Sequence, residues 1–228
     1  MINFLNGISL YFWFHIFGFV AAVIYILIFS RKFEIPLKKS LPLIVLAYVT
    51  VYALMLLLFY LITGYFGGQN IIRIFIFLPF VVFYYCKALN IPAEKAMDFV
   101  SPIPCIIHGI SHIGCIFEGC CFSNIQTRFG IYNPVTKTTL FPVQLLETAV
   151  ALIIAGYFII KLKRHRYSLS GKAMPEMLIL FGVTRFLLEF LRDNEKLFWG
   201  ISELALWALG AALLGLVWLL IKRRRRFV

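Results

Sequence analysis

The segment GVTRFLLEFLRDN, Gly182 to Asn194, places Arg185, Glu189 and Arg192 at spacings i, i+4 and i+7 in apolar surroundings. In a helix these charges share one face, because a helix repeats every ~3.6 residues. Charges at membrane depth are costly and usually face a bundle interior or a wet cavity. Two guanidinium forks against one acid would suit an anionic phosphate. We expect Glu189 to orient Arg185 while Arg192 stays free; alternatively, an Arg–Glu pair merely joins helices and Arg192 reaches the interface.

A second charged site begins the apolar segment that follows position 140. In FPVQLLET, Pro142 can start a helix, and Gln144 and Glu147 at i, i+3 lie on one face of it. Glu147 lies about one turn inside the expected membrane boundary, where an unpaired carboxylate is costly. Whether it belongs to a site or only pairs across the bundle, it needs a cationic partner. We expect that partner to be Arg185 or Arg192.

The segment HGISHIGCIFEGCCFS offers imidazole and thiol groups at helical spacing. His108, His112 and Cys115 stand at i, i+4 and i+7, and the adjacent Cys120 and Cys121 follow. Such a set could bind zinc or do thiol chemistry. No second cluster has ligand spacing, so we expect no metal or other cofactor and favour acid–base work by His112 or His108. The cysteines can also be small buried apolar residues, and an odd total of five does not require disulfides.

Composition fixes the class of protein that must position these groups. The 228 residues are 62% hydrophobic and 14% charged, with a mean hydropathy of +0.91. These values are far from those of a soluble globular domain and predict an all-α polytopic membrane protein. The net charge of +12 could suggest nucleic acid. The basic residues lie between apolar segments, however, which is typical of the cytoplasmic side of membrane proteins and argues against nucleic-acid binding.

The apolar runs predict about seven transmembrane helices in a single domain over residues 1–228. The runs span about 10–29, 41–63, 74–85, 101–117, 141–160, 174–191 and 204–221. Residues 87–98 are predicted to be a polar link. The long polar piece over 118–140 is predicted to be a functional loop or cap, because it is too long for a simple turn.

Charge distribution predicts the orientation of these helices. Most of the 22 Lys and Arg residues fall in four connecting pieces, namely 31–39, 87–95, 161–172 and 222–226. Cytoplasmic connections carry such an excess, which predicts an N-out, C-in arrangement. The loop between helices four and five and the end of helix six then face the extracytoplasmic side. Chemistry built from both would act in that leaflet.

With these residues identified, the chain resembles the prolipoprotein diacylglyceryl transferases of bacteria. GVTRFLLEFLRDN is similar to the family segment G-x-x-R-F-x-x-E-F-x-R, and FPVQLLE is similar to H-P-x-Q-L-Y-E, with Phe141 at the histidine. DFVSPIPCIIHGISHIGCIFEGCC resembles a stretch that ends in G-R-x-G-N/C-F-x-N-G, with Ser111 and His112 at the G-R pair and Cys115 where asparagine is common. LYFWFHIFGF resembles the first family segment. The family's F-H-G-G motif has no counterpart: FGGQNIIRIF stands there, with Arg73 as the only cation.

The resemblance implies an enzyme of the bacterial cytoplasmic membrane that moves the diacylglyceryl group of phosphatidylglycerol onto a lipobox cysteine of a preprolipoprotein. It implies that Arg185 and Arg192 bind the glycerophosphate charge while His112 or His108 helps to deprotonate the acceptor thiol. Attack at the glycerol carbon would expel glycerol phosphate. The remaining substrate-binding residues that we expect are Tyr11, Arg73, Gln144, Glu147 and Glu189.

Two alternatives follow from the departures in the motifs. A divergent paralogue could keep the fold and the lipid cradle but use another acceptor or lack activity. A non-enzymatic lipid-binding or transport protein would form no covalent product. The absence of paired broken-helix repeats argues mildly against a secondary transporter.

Overall fold

The structure is a computed structural model, and it describes residues 9–64, 71–164, 170–197 and 200–224. Residues 66–70, which stand in place of the F-H-G-G motif, lie outside the described residues. So do parts of two basic pieces, at 165–169 and 225–226. The elements in chain order are α1 Leu10–Phe29, α2 Leu37–Thr63, α3 Ile71–Ala88, α4 Ala93–Val100, α5 Ile103–Glu118, β1 Gln126–Asn133, β2 Thr138–Leu140, α6 Val143–Arg164, α7 Ala173–Glu189 and α8 Glu203–Arg224.

The helices confirm a mostly helical, polytopic membrane protein. Within the described residues, five helical stretches are long and apolar enough to cross a membrane: α1, most of α2, α4 with α5, α6 and α8. Many of their outward-facing side chains are large and apolar, as in Ile28, Leu61 and Ile153, which are each more than 60% exposed. Such a surface suits hydrocarbon rather than water, because lipid tails replace the missing protein contacts.

One prediction about the connections was wrong, and a second was incomplete. The expected polar link contains the helix α4, which begins directly after Pro92 and whose second half, from Ala96 to Val100, is buried. Proline immediately before a run of good helix formers is a helix-start signal. The expected loop over 118–140 contains the antiparallel pair β1 and β2, so the fold is not purely α-helical. Asn133 closes this hairpin, because its side-chain oxygen accepts from the backbone amides of Val135 and Thr136 at 2.8 and 3.1 Å.

Helix α5 is the central element of the bundle, packed between α1 and α6. Its histidines and cysteines, including His108, His112 and Cys115, are all buried. Helix α1 approaches closely at Gly114, where an added Cβ would lie 2.6 Å from the Cα of Tyr11. Glycine is therefore required here by backbone proximity. This contact brings the first turn of α1 beside the last turn of α5.

The basic connections meet at one end of the bundle. Lys95 pairs with Glu34, and the Lys32 ammonium donates to the carbonyl of Lys163 at 2.9 Å. Lys222 pairs with Glu94 at 2.8 Å. Described parts of the four basic pieces are thus linked to one another. The last turns of α5 and α7 and the first turns of α1 and α6 lie together at the other end, where the charged motifs meet.

Candidate active site

Glu147 is the centre of a buried charge cluster. It lies in the second turn of α6, and its side chain is only 1% exposed. One carboxylate oxygen lies 2.8 Å from Nη1 of Arg192 and 3.3 Å from Nη1 of Arg185, while the other contacts Nε2 of His112. Three elements, α5, α6 and α7 with its following turn, therefore converge on one carboxylate. The prediction that Glu147 pairs with Arg185 or Arg192 is confirmed with both.

Glu189 holds Arg185 as the helical spacing predicted. The two side chains form an i, i+4 ion pair on α7, and both are almost fully buried. Glu189 also accepts from the hydroxyl of Ser202 at 2.7 Å and from the side-chain amide of Asn194. These bonds compensate a carboxylate that burial would otherwise penalise. The guanidinium of Arg185 is consequently fixed between Glu189 and Glu147.

Arg192 is not free, so that prediction was wrong. Helix α7 ends at Glu189, and Arg192 lies in the turn that follows rather than on the helix face. Its backbone pairs in an isolated bridge with Ser123 from the loop after α5. The side chain is thereby turned toward α6, where its Nη1 contacts both oxygens of Glu147, at 2.8 and 3.0 Å. The spacing of the charged residues predicts a helical position for Arg192, but the helix ends before it.

The pairing changes the charge expected at the site. The sequence suggested two arginines against one acid, but Glu147 supplies a second carboxylate. Arg185 and Arg192 are therefore balanced by Glu147 and Glu189. In the described residues, all carboxylate contacts of both arginines are made through Nη1, and the buried Nε of Arg192 has no hydrogen-bond partner. Both guanidinium groups thus keep donors for a further anion.

A cavity of about 230 Å³ lies beside this cluster. Its lining residues include both arginines, both histidines of α5, three cysteines and the first-turn tyrosine of α1: Arg185, Arg192, His108, His112, Cys115, Cys120, Cys121 and Tyr11. Apolar walls come from Ile72 and Phe181. Cys120 is exposed, which gives the cavity an edge at the protein surface. The sequence predicted the arginines, histidines and Tyr11 for this site, but it did not predict the cysteine pair.

The two histidines of α5 have different environments. His112 contacts Glu147 through Nε2, while its Nδ1 lies 3.8 Å from the thiol of Cys115. His108 is buried, and among the described residues neither of its ring nitrogens has a hydrogen-bond partner. Its ring packs edge-on against Phe75 and Phe181. His112 is therefore held by the charge cluster, whereas His108 lines the cavity and has two buried ring nitrogens without hydrogen-bond partners in the described residues.

A turn after α5 folds the cysteine pair back onto the helix. Gly119 has a positive φ of 66°, and the amide of Cys120 donates to the carbonyl of Cys115 at 3.2 Å. This is the bond pattern of a glycine helix terminus. Cys121 also has a positive φ, 57°, and lies outside the helix. The thiol groups of Cys115 and Cys121 and the ring of His112 end up with ligand atoms within 4.8 Å of one another.

The environment of Cys121 favours its thiolate. The pKa of this thiol is held well below its ordinary value because the thiols of Cys115 and Cys120 hydrogen-bond to it. The positive charge of Arg192 acts in the same direction. A thiolate is stabilised by such donors and cations.

Four expected substrate-binding residues are not among the lining residues of the cavity. Glu147 and Glu189 lie beside it in the charge cluster, and Gln144 and Arg73 have other contacts. The side-chain amide of Gln144 donates to the carbonyl of Cys120 at 3.0 Å, so it stabilises the turn that carries the cysteines. Arg73 pairs with Glu203 and lies over the ring of Trp207, with 5.5 Å between the guanidinium carbon and the ring centroid. The expected substrate roles of all four stay predictions.

Comparison with known proteins gives a match over nearly the whole chain. A model of the family described as prolipoprotein diacylglyceryl transferase matches residues 6–221. The chain belongs to the prolipoprotein diacylglyceryl transferase family. This result confirms the resemblance that the four motifs indicated, and it makes the chain a member of a transferase family of lipoprotein biosynthesis with membrane helices.

Two curated members of the prolipoprotein diacylglyceryl transferase family are similar to parts of the chain at modest identity. The chain is 29% identical over 122 residues to phosphatidylglycerol–prolipoprotein diacylglyceryl transferase of Clostridium tetani, which is 50% of this chain and 48% of that protein. It is 27% identical over 109 residues to phosphatidylglycerol–prolipoprotein diacylglyceryl transferase 2 of Clostridium perfringens, which is 43% and 40% of the two chains. The chain thus spans about half the length, or less, of the curated relatives it matches.

Proposed function

We propose that the chain transfers the diacylglyceryl group of phosphatidylglycerol to the thiol of a lipobox cysteine in a preprolipoprotein. The observation that carries the proposal is the cavity at which Arg185 and Arg192 meet His108 and Tyr11. It combines phosphate-binding cations with a potential proton acceptor at one end of a membrane bundle. Family membership and the names of the two relatives support this reaction class.

In the proposed reaction, the acceptor sulfur attacks the glycerol carbon that carries the phosphate ester. The C–S bond forms while the C–O bond to phosphate breaks, and glycerol phosphate leaves with the bonding electrons. Negative charge increases on the leaving phosphate, so donors that are already fixed beside it lower the barrier. Glu147 and Glu189 hold Arg185 and Arg192 in place before substrate binds. The remaining guanidinium donors then bind the phosphate oxygens.

The acceptor thiol must lose its proton, because the thiolate is the competent nucleophile. His112 and His108 are both at the cavity, but Nε2 of His112 is already engaged with Glu147. His108 has two ring nitrogens without hydrogen-bond partners in the described part of the chain. We therefore assign proton acceptance to His108. His112 positions Glu147, and the proton leaves the cavity from His108 after transfer.

The proposed orientation is N-out and C-in, in the bacterial cytoplasmic membrane, with residues 1–228 as a single domain of about seven spans. The contacts among the basic connections support it, because these pieces share one end of the bundle and basic pieces collect in the cytoplasm. The cavity lies near the other end, at the last turn of α5. The transfer would then act on lipid and protein from the extracytoplasmic leaflet.

The test is incorporation of lipid into a lipobox peptide by purified protein. Phosphatidylglycerol vesicles labelled in the diacylglyceryl part are the donor, and mass spectrometry detects the thioether product. We expect Arg185→Ala to lower the rate by at least about 10²-fold, as loss of a transition-state donor does. Arg128→Ala is the matched control, since Arg128 is exposed on β1. Equal rates for Arg185→Ala and the wild type would refute the proposal.

A divergent paralogue with another acceptor is the second candidate. It is favoured by His112 at the position of a family arginine and by the engagement of Arg73 with Glu203. Complementation of a bacterium depleted of its own transferase separates the two candidates. Growth supports the lipobox acceptor, whereas failure despite normal membrane insertion supports the paralogue. A non-enzymatic lipid-binding protein would bind vesicles and give no covalent product with any thiol peptide.

A further inference from the structure

Besides the arginine cluster, the cavity holds a second group of side chains, in which His112 is joined by two cysteines that have no part in the transfer reaction. His112, Cys115 and Cys121 bring one nitrogen and two sulfur atoms within 4.8 Å of one another. His112 and Cys115 are three residues apart on α5, so they share a helix face. Cys121 reaches them because the chain reverses at Gly119 and the Cys120 amide bonds back to the helix.

We propose that His112, Cys115 and Cys121 bind a thiophilic divalent metal ion, Zn²⁺, with one coordination position open to the cavity.

The geometry is close to what zinc requires. Zn–S bonds of about 2.3 Å and Zn–N bonds of about 2.0–2.1 Å at tetrahedral angles put ligand atoms roughly 3.5–3.8 Å apart. Nδ1 of His112 lies 3.8 Å from Sγ of Cys115. The upper limit of 4.8 Å for all three atoms leaves shifts of about 1 Å to bring them onto one ion.

The surroundings of the imidazole also suit a metal ligand. Nε2 of His112 contacts the carboxylate of Glu147, which leaves Nδ1 directed to the thiols. A carboxylate on the far nitrogen of a ligating histidine fixes the ring and increases its basicity. Zn²⁺ replaces the two thiol protons, which pass to water, so the bound ligands are two thiolates and a neutral imidazole.

A competing set of ligands, His108, His112 and Glu147, also lies within 4.8 Å. Its carboxylate is already contacted by Arg185 and Arg192, and a divalent cation there would stand beside two guanidinium groups. Like charges at such short range are unfavourable in a buried site. The thiol set brings two negative charges of its own and is therefore the site of choice.

Cys120 is not a ligand in this arrangement. It lines the cavity but does not belong to either ligand group, and its thiol is directed to the carbonyl of Cys115 at 3.8 Å. Three protein ligands with an open fourth position are typical of reactive rather than structural zinc sites. The proposal does not depend on the transferase reaction, because it concerns metal binding alone.

The experiment measures metal in the full-length protein purified in detergent, after chelation and reloading with Zn²⁺ alone. Mass spectrometry of the metal should give about one zinc per chain. Co²⁺ loading should give the visible bands of tetrahedral cobalt and a thiolate charge-transfer band. Cys121→Ala should lose both signals. Cys105→Ala, which removes a buried thiol from the same helix away from the site, and Cys120→Ala should keep them.

Three results would overturn the proposal. One is a zinc content well below one per chain in the reloaded wild type while its thiols are reduced. Another is loss of zinc in Cys120→Ala with retention in Cys121→Ala, which would exclude the assigned ligands. The third is zinc that stays bound in Cys121→Ala and is lost when His108→Gln is added, which would place the ion between His108, His112 and Glu147. Circular dichroism and monodisperse elution of Cys121→Ala show that a loss of metal is not a loss of fold.

Discussion

Nη1 of Arg192 lies 2.8 and 3.0 Å from the two carboxylate oxygens of Glu147, and both side chains are at least 96% buried. The two residues are 45 positions apart in the chain. The contact joins the turn after α7 to the second turn of α6. It links the two motifs that carry most of the charge at the site, and its loss should be felt in both stability and function.

A double-mutant cycle on this pair should show strong coupling. Glu147→Gln alone removes the shared partner of Arg185, Arg192 and His112, so it should cost about 3–5 kcal/mol in the free energy of unfolding. The double variant with Arg192→Gln should recover part of that loss, with a coupling of about 1–3 kcal/mol. Denaturation in detergent measures these values. The pair of Lys222 with the exposed carboxylate of Glu94 is the control and should couple by less than about 1 kcal/mol.

Arginine geometry should matter more than positive charge alone. Arg185→Lys and Arg192→Lys keep the charge but lose the planar fork that serves a carboxylate and a phosphate together. We expect transfer rates between those of the wild type and the alanine variants, which should fall by about 10²–10³-fold. Peptide lipidation at saturating vesicle concentration measures the rates. Full activity in both lysine variants would contradict the bidentate role.

Substitution of His108 and of His112 should affect the transfer rate and the stability differently. His108→Gln removes the assigned proton acceptor and should lower the maximal rate by about 10²–10⁴-fold with little change in stability. His112→Gln releases Glu147 from its imidazole contact, so it should also lower the unfolding temperature. Rate and thermal melt of both variants give the comparison. A rate loss confined to His112→Gln would reverse the assignment.

Gly114 should be sensitive to a single methyl group. A Cβ there would meet the Cα of Tyr11 at 2.6 Å, so Gly114→Ala should push α1 from α5 and cost about 1–3 kcal/mol. Gly156→Ala on α6 is the matched control, because no atom lies within 4 Å of its added Cβ. It should be neutral or stabilise the helix by about 0.5–1 kcal/mol. Equal melting temperatures for the two variants would disprove the close approach.

Asp98 should anchor the start of α7. Its carboxylate accepts from the amides of Gly171 and Ala173 at 2.9 and 2.8 Å, although it lies on α4. Asp98→Ala leaves two buried amides without this acceptor and should cost at least about 2 kcal/mol. Asp98→Asn keeps one acceptor oxygen and should lose less. Thermal unfolding checks the order, and a larger loss for Asn than for Ala would contradict it.

Local patterns predicted what depends on neighbours in sequence. The i, i+4 pair of Arg185 and Glu189 forms on α7 as its spacing indicated, and His108, His112 and Cys115 share one helix. Apolar runs matched most of the long helices, although the run at 101–117 did not include α4 before it. These features follow from helical periodicity and from the cost of exposing polar groups to hydrocarbon, so no tertiary information is needed.

Other features have weak or competing local signals, or depend on contacts between distant elements. A helix-start signal is present at Pro92, since helix formers follow it, but the polar composition of residues 87–98 favours a link. The strands β1 and β2 have only weak alternation. The end of α7 before Arg192 depends on a bridge to Ser123, whose position is distant in sequence. A periodic pattern therefore extends past the helix when the stop is made by a tertiary contact.

The sequence by itself determined the membrane class, most of the helices and the charged residues that these helices carry. Only the tertiary structure decided that Glu147 binds two arginines and a histidine at once, and that Cys121 returns to His112. The physical reason is the distance along the chain over which a sequence pattern acts. Helical spacing fixes neighbours within one element, whereas side chains from different elements meet only after the bundle has packed and the chain has turned at Gly119.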